Sequence, residues 1–317
     1  MNKYKFFDFS ENILTFNPVF LVGACRSGKS SLGCLLGSLE YCFHVEENWM
    51  LLMTPIMCEK GLMGKDVFLN MYRAYINELV YDAVLMRSAS FRSTDHSYIG
   101  KMKSSTEIDH FVSGFQSRQD VDDYMRDNDV TIVFNLAEIN PYIDLLKEVY
   151  PKAKIVHMNR NPFVVADEVD AKEWFSDQSI NAPGNKQIFL HVDTGNGKRY
   201  IPFWVAEEDV DRFVDMTSEE RAFYYILRQY QLTAEAISRS NSDNIVFIDY
   251  EDLINDPAGC LRAIIPDIKN GGMTSGLIEE LKGRSELRSA RHEIAEIDLR
   301  KVNLINEFIP GFKKRYF

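Results

Sequence analysis

The segment Gly23-Ala24-Cys25-Arg26-Ser27-Gly28-Lys29-Ser30 is where residue types and spacing most directly imply chemistry. It fits the pattern G-x-x-x-x-G-K-[ST]. With glycine at about 7% of average composition, a chance match in a chain this long has odds on the order of 1%. The physical reason for the pattern is plain. Glycines let the backbone curl so that successive N–H groups point inward, a following helix adds its positive end, and Lys29 and Arg26 supply full charges. An anionic, phosphate-like group is the implied ligand, and a glycine-rich turn without a ligand is the alternative. In a nucleoside triphosphate site Lys29 would reach the terminal phosphates and Ser30 would hold magnesium, with Asp249 as the acidic strand end that helps.

Such a loop needs a strand before it and a helix after it. Residues 18–22 are a short apolar run bounded by Gly23, as expected of a buried strand, and 30–39 carry Leu32, Leu35, Leu36 and Leu39 at helical spacing. Further strands are predicted at 130–134, 154–158 and 244–249, with helices at 142–149, 163–174 and 257–265. Residues 187–193 and 199–204 flank Thr194-Gly195-Asn196-Gly197, a hairpin turn. Thr217-Ser218-Glu219-Glu220 is a capping box opening a helix to about 240. Strands alternating with helices predict an α/β fold with a central, mostly parallel sheet and flanking helices, whose ligand lies beyond the carboxyl ends of the strands. With no linker, repeat or low-complexity stretch, the expectation is a single domain over 1–317, with a hairpin-bearing insertion at about 176–216.

Three segments together resemble the sulfotransferases that use 3′-phosphoadenosine 5′-phosphosulfate (PAPS). Cys25-Arg26-Ser27-Gly28-Lys29-Ser30-Ser31-Leu32 resembles that family's 5′-phosphosulfate loop. The stretch from Tyr150-Pro151-Lys152-Ala153-Lys154 through Asn159-Arg160-Asn161-Pro162 resembles its F-P-x-A-K…R-[DN]-P segment. Tyr250-Glu251-Asp252-Leu253-Ile254-Asn255-Asp256-Pro257 resembles its Y-E-D-L-x-x-D-P signature, which is mainly structural. The resemblance covers roughly residues 17–265 and implies a P-loop NTPase-like sulfotransferase fold. It also implies PAPS bound without a metal, with 3′-phosphoadenosine 5′-phosphate as product. Arg26, Ser27, Gly28, Lys29, Ser30 and Ser31 would hold the phosphosulfate and Arg160 the 3′-phosphate, with Arg284, Arg288 and Arg291 as a basic segment near it. The chain departs from the family at Lys29, where Thr is usual, and at Asn135, where many relatives have Lys. It departs again at Glu168, where a phosphate-binding Ser is usual. A carboxylate facing a phosphate is repulsive, so Glu168 should turn away or another residue should substitute.

Transfer to a hydroxyl requires a base within hydrogen-bond reach. In some relatives a glutamate at this distance from the loop serves, and ungapped counting lands on Glu47, with Glu46 its rival. An E-E pair on a solvated turn is the bland alternative. His96, within the polar run 92–97, and His44 are further candidates. Arg26 and Lys29 would stabilise the leaving phosphate oxygens.

The bulk numbers set outer bounds. The chain has 317 residues, 45% hydrophobic and 26% charged, and a net charge of −11. That acidity argues against nucleic acid or a sulfated polysaccharide as partner and favours a small polar, neutral or cationic acceptor. The acidic run Glu207-Glu208-Asp209-Asp211 in the insertion points the same way, and the insertion is expected to act as a lid or acceptor wall. No window approaches the roughly 18–20 apolar residues that span a bilayer, and no signal peptide is evident. Five cysteines without metal-ligand spacing suit small core residues in a reducing cytoplasm, with the protein a monomer or homodimer.

Overall fold

The computed structural model describes residues 14–182, 190–194, 197–239, 244–267 and 275–289. Five strands form one parallel sheet: β1 (Asn17–Val22), β2 (Cys42–Val45), β3 (Thr131–Asn135), β4 (Lys154–Asn159) and β7 (Ile245–Asp249), in the order β2-β3-β1-β4-β7. The fold class expected from the strand–helix alternation is the one observed. All five residues of β3 are buried, as they must be when helices cover both faces of a parallel sheet. The strand at the sheet edge, β7, is correspondingly more exposed.

Register brings the strand ends level. Val45 pairs with Phe134, and Leu21 pairs with Asn135. The residues that follow β2, β3 and β1 therefore emerge side by side at the carboxyl edge. Helix α1 (Lys29–Gly37) leaves from the loop after β1 and packs against β2 and β3. The antiparallel hairpin β5 (Leu190–Thr194) and β6 (Gly197–Ile201) forms a separate two-stranded sheet, with Thr194 opposite Gly197 as the turn predicts.

Several boundaries differ from expectation for identifiable reasons. The helix expected over 163–174 spans Pro162–Asp170, and Glu173 just beyond it takes a left-handed backbone (φ 55°). The hairpin's second strand stops at Ile201, and Phe203 and Trp204 turn into the core instead of continuing the ladder. The helix opened by Thr217 spans Ser218–Arg239; the backbone N–H of Thr217 donates to Glu220 (2.8 Å) and that of Glu220 to the Thr217 hydroxyl (3.3 Å), closing the box. No expectation covered β2, α2 (Trp49–Glu59) or α3 (Lys65–Val84). The strand β2 has only four residues, and α2 contains Pro55, which interrupts a helical pattern.

The described part of the segment 176–216 packs on the rest of the protein. Trp204 and Phe213 pack edge-to-face at 5.7 Å, and buried Arg221 donates to the carbonyls of Phe213, Val214 and Phe175. Its acidic residues Glu207, Glu208 and Asp211 are exposed. No described residue of this segment lines the cleft beside the loop of residues 23–30.

Candidate active site

The phosphate loop sits at the carboxyl end of β1, between the ends of β3 and β4. Gly28 has φ 103°, a left-handed value, and a Cβ there would lie 2.4 Å from the Tyr250 ring. Only glycine fits on both counts. Tyr250 opens the helix Tyr250–Asn255 and also lies under the Arg160 guanidinium, 4.5 Å from ring centroid to carbon. The third resemblance segment thus buttresses the loop directly.

Beside the loop lies a cleft of about 310 Å³. Arg26, Gly28, Lys29, Ser30 and Ser31 line it together with Glu46, Glu47, His96 and Asn135. The cleft therefore gathers most of the residues expected at the site. Trp174, a further wall residue, has no chemical signature in the sequence, and Tyr250 stood out there only as part of a structural signature.

Lys29 is buried, and its ammonium donates to the carbonyls of Gly23 (3.1 Å) and Ala24 and to the Ser27 hydroxyl (3.4 Å). Burial pulls its pKa down, with neighbouring Glu47 and Glu138 opposing. An anion entering the loop would compete with the loop's own carbonyls for this charge. Asn135 donates its amide to the Ser30 hydroxyl (3.0 Å) and to the Glu46 carboxylate (3.1 Å), tying three elements together. Burial tends to raise the Glu46 pKa, but His44 and the hydrogen bonds from Asn135 and Ser97 outweigh it and hold the group below the usual carboxylate range. Glu47 is exposed where Glu46 is half-buried. His96 reaches the cleft from the loop after α3, its Nε2 3.3 Å from the Ser31 hydroxyl.

Glu168 does not turn away from the loop: it points inward and joins both arginines. Its Oε2 accepts from Arg26 Nε at 2.9 Å, and its Oε1 lies 2.9 Å from Arg160 Nη1. Arg160 also donates to the Arg26 carbonyl (2.8 Å) and has a side chain only 4% exposed. Arg160 is not among the residues lining the main cleft; it lies behind the loop, its charge met by Glu168. The helix Ser275–Ser289 contains Arg284 and Arg288, whose side chains lie outside the described residues, as does Arg291 altogether.

Beneath the loop lies a carboxyl that the sequence did not single out. Glu138 follows β3 with φ 62°, is 2% exposed, and accepts from the Cys25 thiol at 3.6 Å, while the Cys25 N–H donates to Tyr225 (2.7 Å). Burial, reinforced by Glu47, pushes its pKa from 4.5 up to about 7. The same burial raises the Cys25 thiol well above its ordinary value, so this cysteine is no nucleophile. Because folded Glu138 keeps a proton that the unfolded chain releases near pH 4.5, the folded state binds more protons between pH 4.5 and about 7. Its contribution to stability is therefore full below about pH 4.5 and falls by on the order of 3 kcal/mol as pH rises to about 7. Glu138→Gln should remove that decline. Its melting temperature should exceed that of the wild type at pH 8 and match it near pH 5, and an unchanged pH slope would refute the assignment.

At the carboxyl edge of the parallel sheet, one cleft thus brings the loop of residues 23–30 together with Glu46 and Glu47. No protein-family model matches the chain, and no curated protein matches it. Among solved structures it is similar to a sulfotransferase domain from the curacin biosynthetic pathway, at 14% identity over 83% of this chain and 76% of that one, TM-score 0.42. It is also similar to the sulfotransferase domain of the Synechococcus PCC 7002 olefin synthase (10% identity, 93% and 95%, TM-score 0.39). A third is a sulfotransferase from Alicyclobacillus acidocaldarius (16%, 87% and 93%, TM-score 0.36). At such identity and TM-score, function has to be argued from the site's own residues. Among the described residues no helix is long and apolar enough to cross a membrane.

Proposed function

We propose that this protein is a cytoplasmic sulfotransferase. It would move the sulfuryl group of PAPS to a hydroxyl or amine of a small polar, neutral or cationic metabolite by in-line displacement. The observation that carries the proposal is Asn135. In an ATP–magnesium site a carboxylate at the end of the strand beside β1 helps the loop hydroxyl hold the metal. Here that strand, β3, ends in a neutral amide that donates to Ser30 instead. Asp249, the other acidic strand end, terminates β7 at the sheet edge, separated from β1 by β4.

In the proposed mechanism the loop N–H groups and Lys29 seat the phosphosulfate, and Arg26 exchanges Glu168 for the leaving phosphate oxygens. Arg26 acts through charge alone, because guanidinium keeps its proton; Lys29 can supply charge or a proton. Glu47, an exposed residue of the cleft lining, takes the proton from the acceptor as it attacks sulfur. Glu46 is already engaged by Asn135. PAPS thus supplies the reactive group, and the chain supplies orientation, charge and a base.

One observation favours a second reading, a P-loop kinase. Glu168 satisfies both arginines, including the one meant for a 3′-phosphate, and Lys29 is the kinase-type residue. A thermal-shift comparison of 3′-phosphoadenosine 5′-phosphate, ADP, and ATP with and without magnesium separates the two, since a ligand that binds only the native state raises the melting temperature. Metal-independent stabilisation by the 3′-phosphorylated nucleotide is the expected result. Preference for ATP with magnesium would reject the sulfotransferase and support the kinase.

A further inference from the structure

A second cluster of chemically capable side chains lies on the far side of Glu46. Cys34 comes from α1, His44 from β2, and Glu46 from the residue after β2 ends. One donor atom from each, the Cys34 sulfur, a His44 ring nitrogen and a Glu46 carboxylate oxygen, lies within 4.8 Å of the others. Both His44 nitrogens are buried and neither has a hydrogen-bond partner. Buried imidazole nitrogens are ordinarily paired, so two unpaired nitrogens on one ring call for an explanation.

The surroundings are shaped to admit that ring. Helix α1 carries Gly33 in its interior, where glycine is disfavoured, and Gly37 one turn on at its end. A Cβ at Gly33 would lie 2.2 Å from His44 Nε2, and one at Gly37 would lie 2.9 Å from the His44 Cβ. The two glycines open a groove that lets the imidazole press against the helix beside Cys34. A cavity of about 170 Å³, lined by His44, Glu46, Ser88, Ser90 and Ser97 among others, adjoins the cluster and reaches it from outside.

We infer that Cys34, His44 and Glu46 form a binding site for a zinc ion, with the fourth coordination position open to the adjoining cavity. Thiolate, imidazole and carboxylate are the three side-chain ligands zinc uses. At zinc bond lengths, tetrahedral ligands lie roughly 3.5 Å apart. Closure from separations of at most 4.8 Å thus needs movements of about 1.3 Å or less. Zinc binding would form the Zn–S bond as the Cys34 proton passes to water, so affinity rises with pH. Three protein ligands with one open position is the arrangement that accepts water or a small ligand. The phosphate loop contributes no ligand to this site; Glu46 alone is shared with the cleft, and metal content is measured without reference to turnover, so this proposal and the sulfotransferase reading fail separately.

The experiment is metal analysis of the full chain after chelation and zinc add-back, alongside cobalt substitution, in wild type, Cys34→Ser and His44→Asn. The expected result is one zinc per chain in the wild type, weakened more than about 100-fold in each variant, since losing a ligand exceeds the 10–100-fold cost of losing a ligand's support. A thiolate-to-cobalt absorption band should appear in the wild type and vanish in Cys34→Ser. Melting temperatures in chelator, equal among the three proteins, show that the variants fold. Substoichiometric zinc in the wild type, equal zinc in the folded variants, or a cobalt complex without the thiolate band would each overturn the site.

Discussion

Glu47→Gln should abolish sulfuryl transfer while leaving donor binding intact. A positioned base contributes about 10²–10⁴-fold to rate, and the amide has the carboxylate's shape without its ability to take a proton. The drop should appear in kcat, measured as release of 3′-phosphoadenosine 5′-phosphate in the presence of an acceptor that the wild type uses. Nucleotide affinity should be unchanged or slightly tighter, because Glu47 adds a negative charge to the cleft that Lys29 and Arg26 also line. A Gln variant with full turnover would remove Glu47 from the mechanism and shift attention to Glu46 or His96, which share the cleft.

Glu168→Gln should have two opposite effects in one protein. The carboxylate neutralises Arg160, whose side chain is 4% exposed, and Arg26, whose side chain is 33% exposed. Removing one partner of a buried ion pair leaves the other charge uncompensated, at a cost of roughly 3 kcal/mol for the Arg160 side, whereas solvent screens much of the Arg26 side. The ligand-free variant should therefore melt earlier. A 3′-phosphorylated nucleotide should then restore more stability to the variant than it adds to the wild type, because its phosphate meets freed guanidinium groups rather than a competing carboxylate. The comparison is read as the ligand-induced shift in melting temperature for each protein. A smaller shift in the variant would mean that Glu168 assists nucleotide binding, and the competition between carboxylate and phosphate would be rejected.

Much of the central frame was legible because it is local. Apolar runs ending at Gly23 and Asn135, and the segment leading to Arg160, mark β1, β3 and β4 by their own side chains. The capping box at Thr217 fixes a helix start through contacts spanning three residues. What escaped was either too short to carry a period, as in β2, or dominated by a local exception, as with Pro55 inside α2. Trp204 shows the same limit from another side. In sequence it prolongs a strand pattern, but in space it fills the core against Phe175, Phe213 and Tyr225.

The loop of residues 23–30 was legible in the sequence alone, because its glycines, its lysine and the helix that follows are contiguous. The partners of that loop were decided by tertiary structure. Glu168 lies 142 residues from Arg26 in the chain, and only the packing of the helix Pro162–Asp170 beside the loop makes it a neutralising bridge instead of a repulsive neighbour. Glu138 gained its raised pKa from burial under the loop, and a lone glutamate after a strand carries no sign of that. Cys34, His44 and Glu46 fit no metal motif as a string. Their donor atoms converge because α1 packs on β2 and two glycines let the imidazole through, and close approach of that kind depends on side-chain shape in three dimensions.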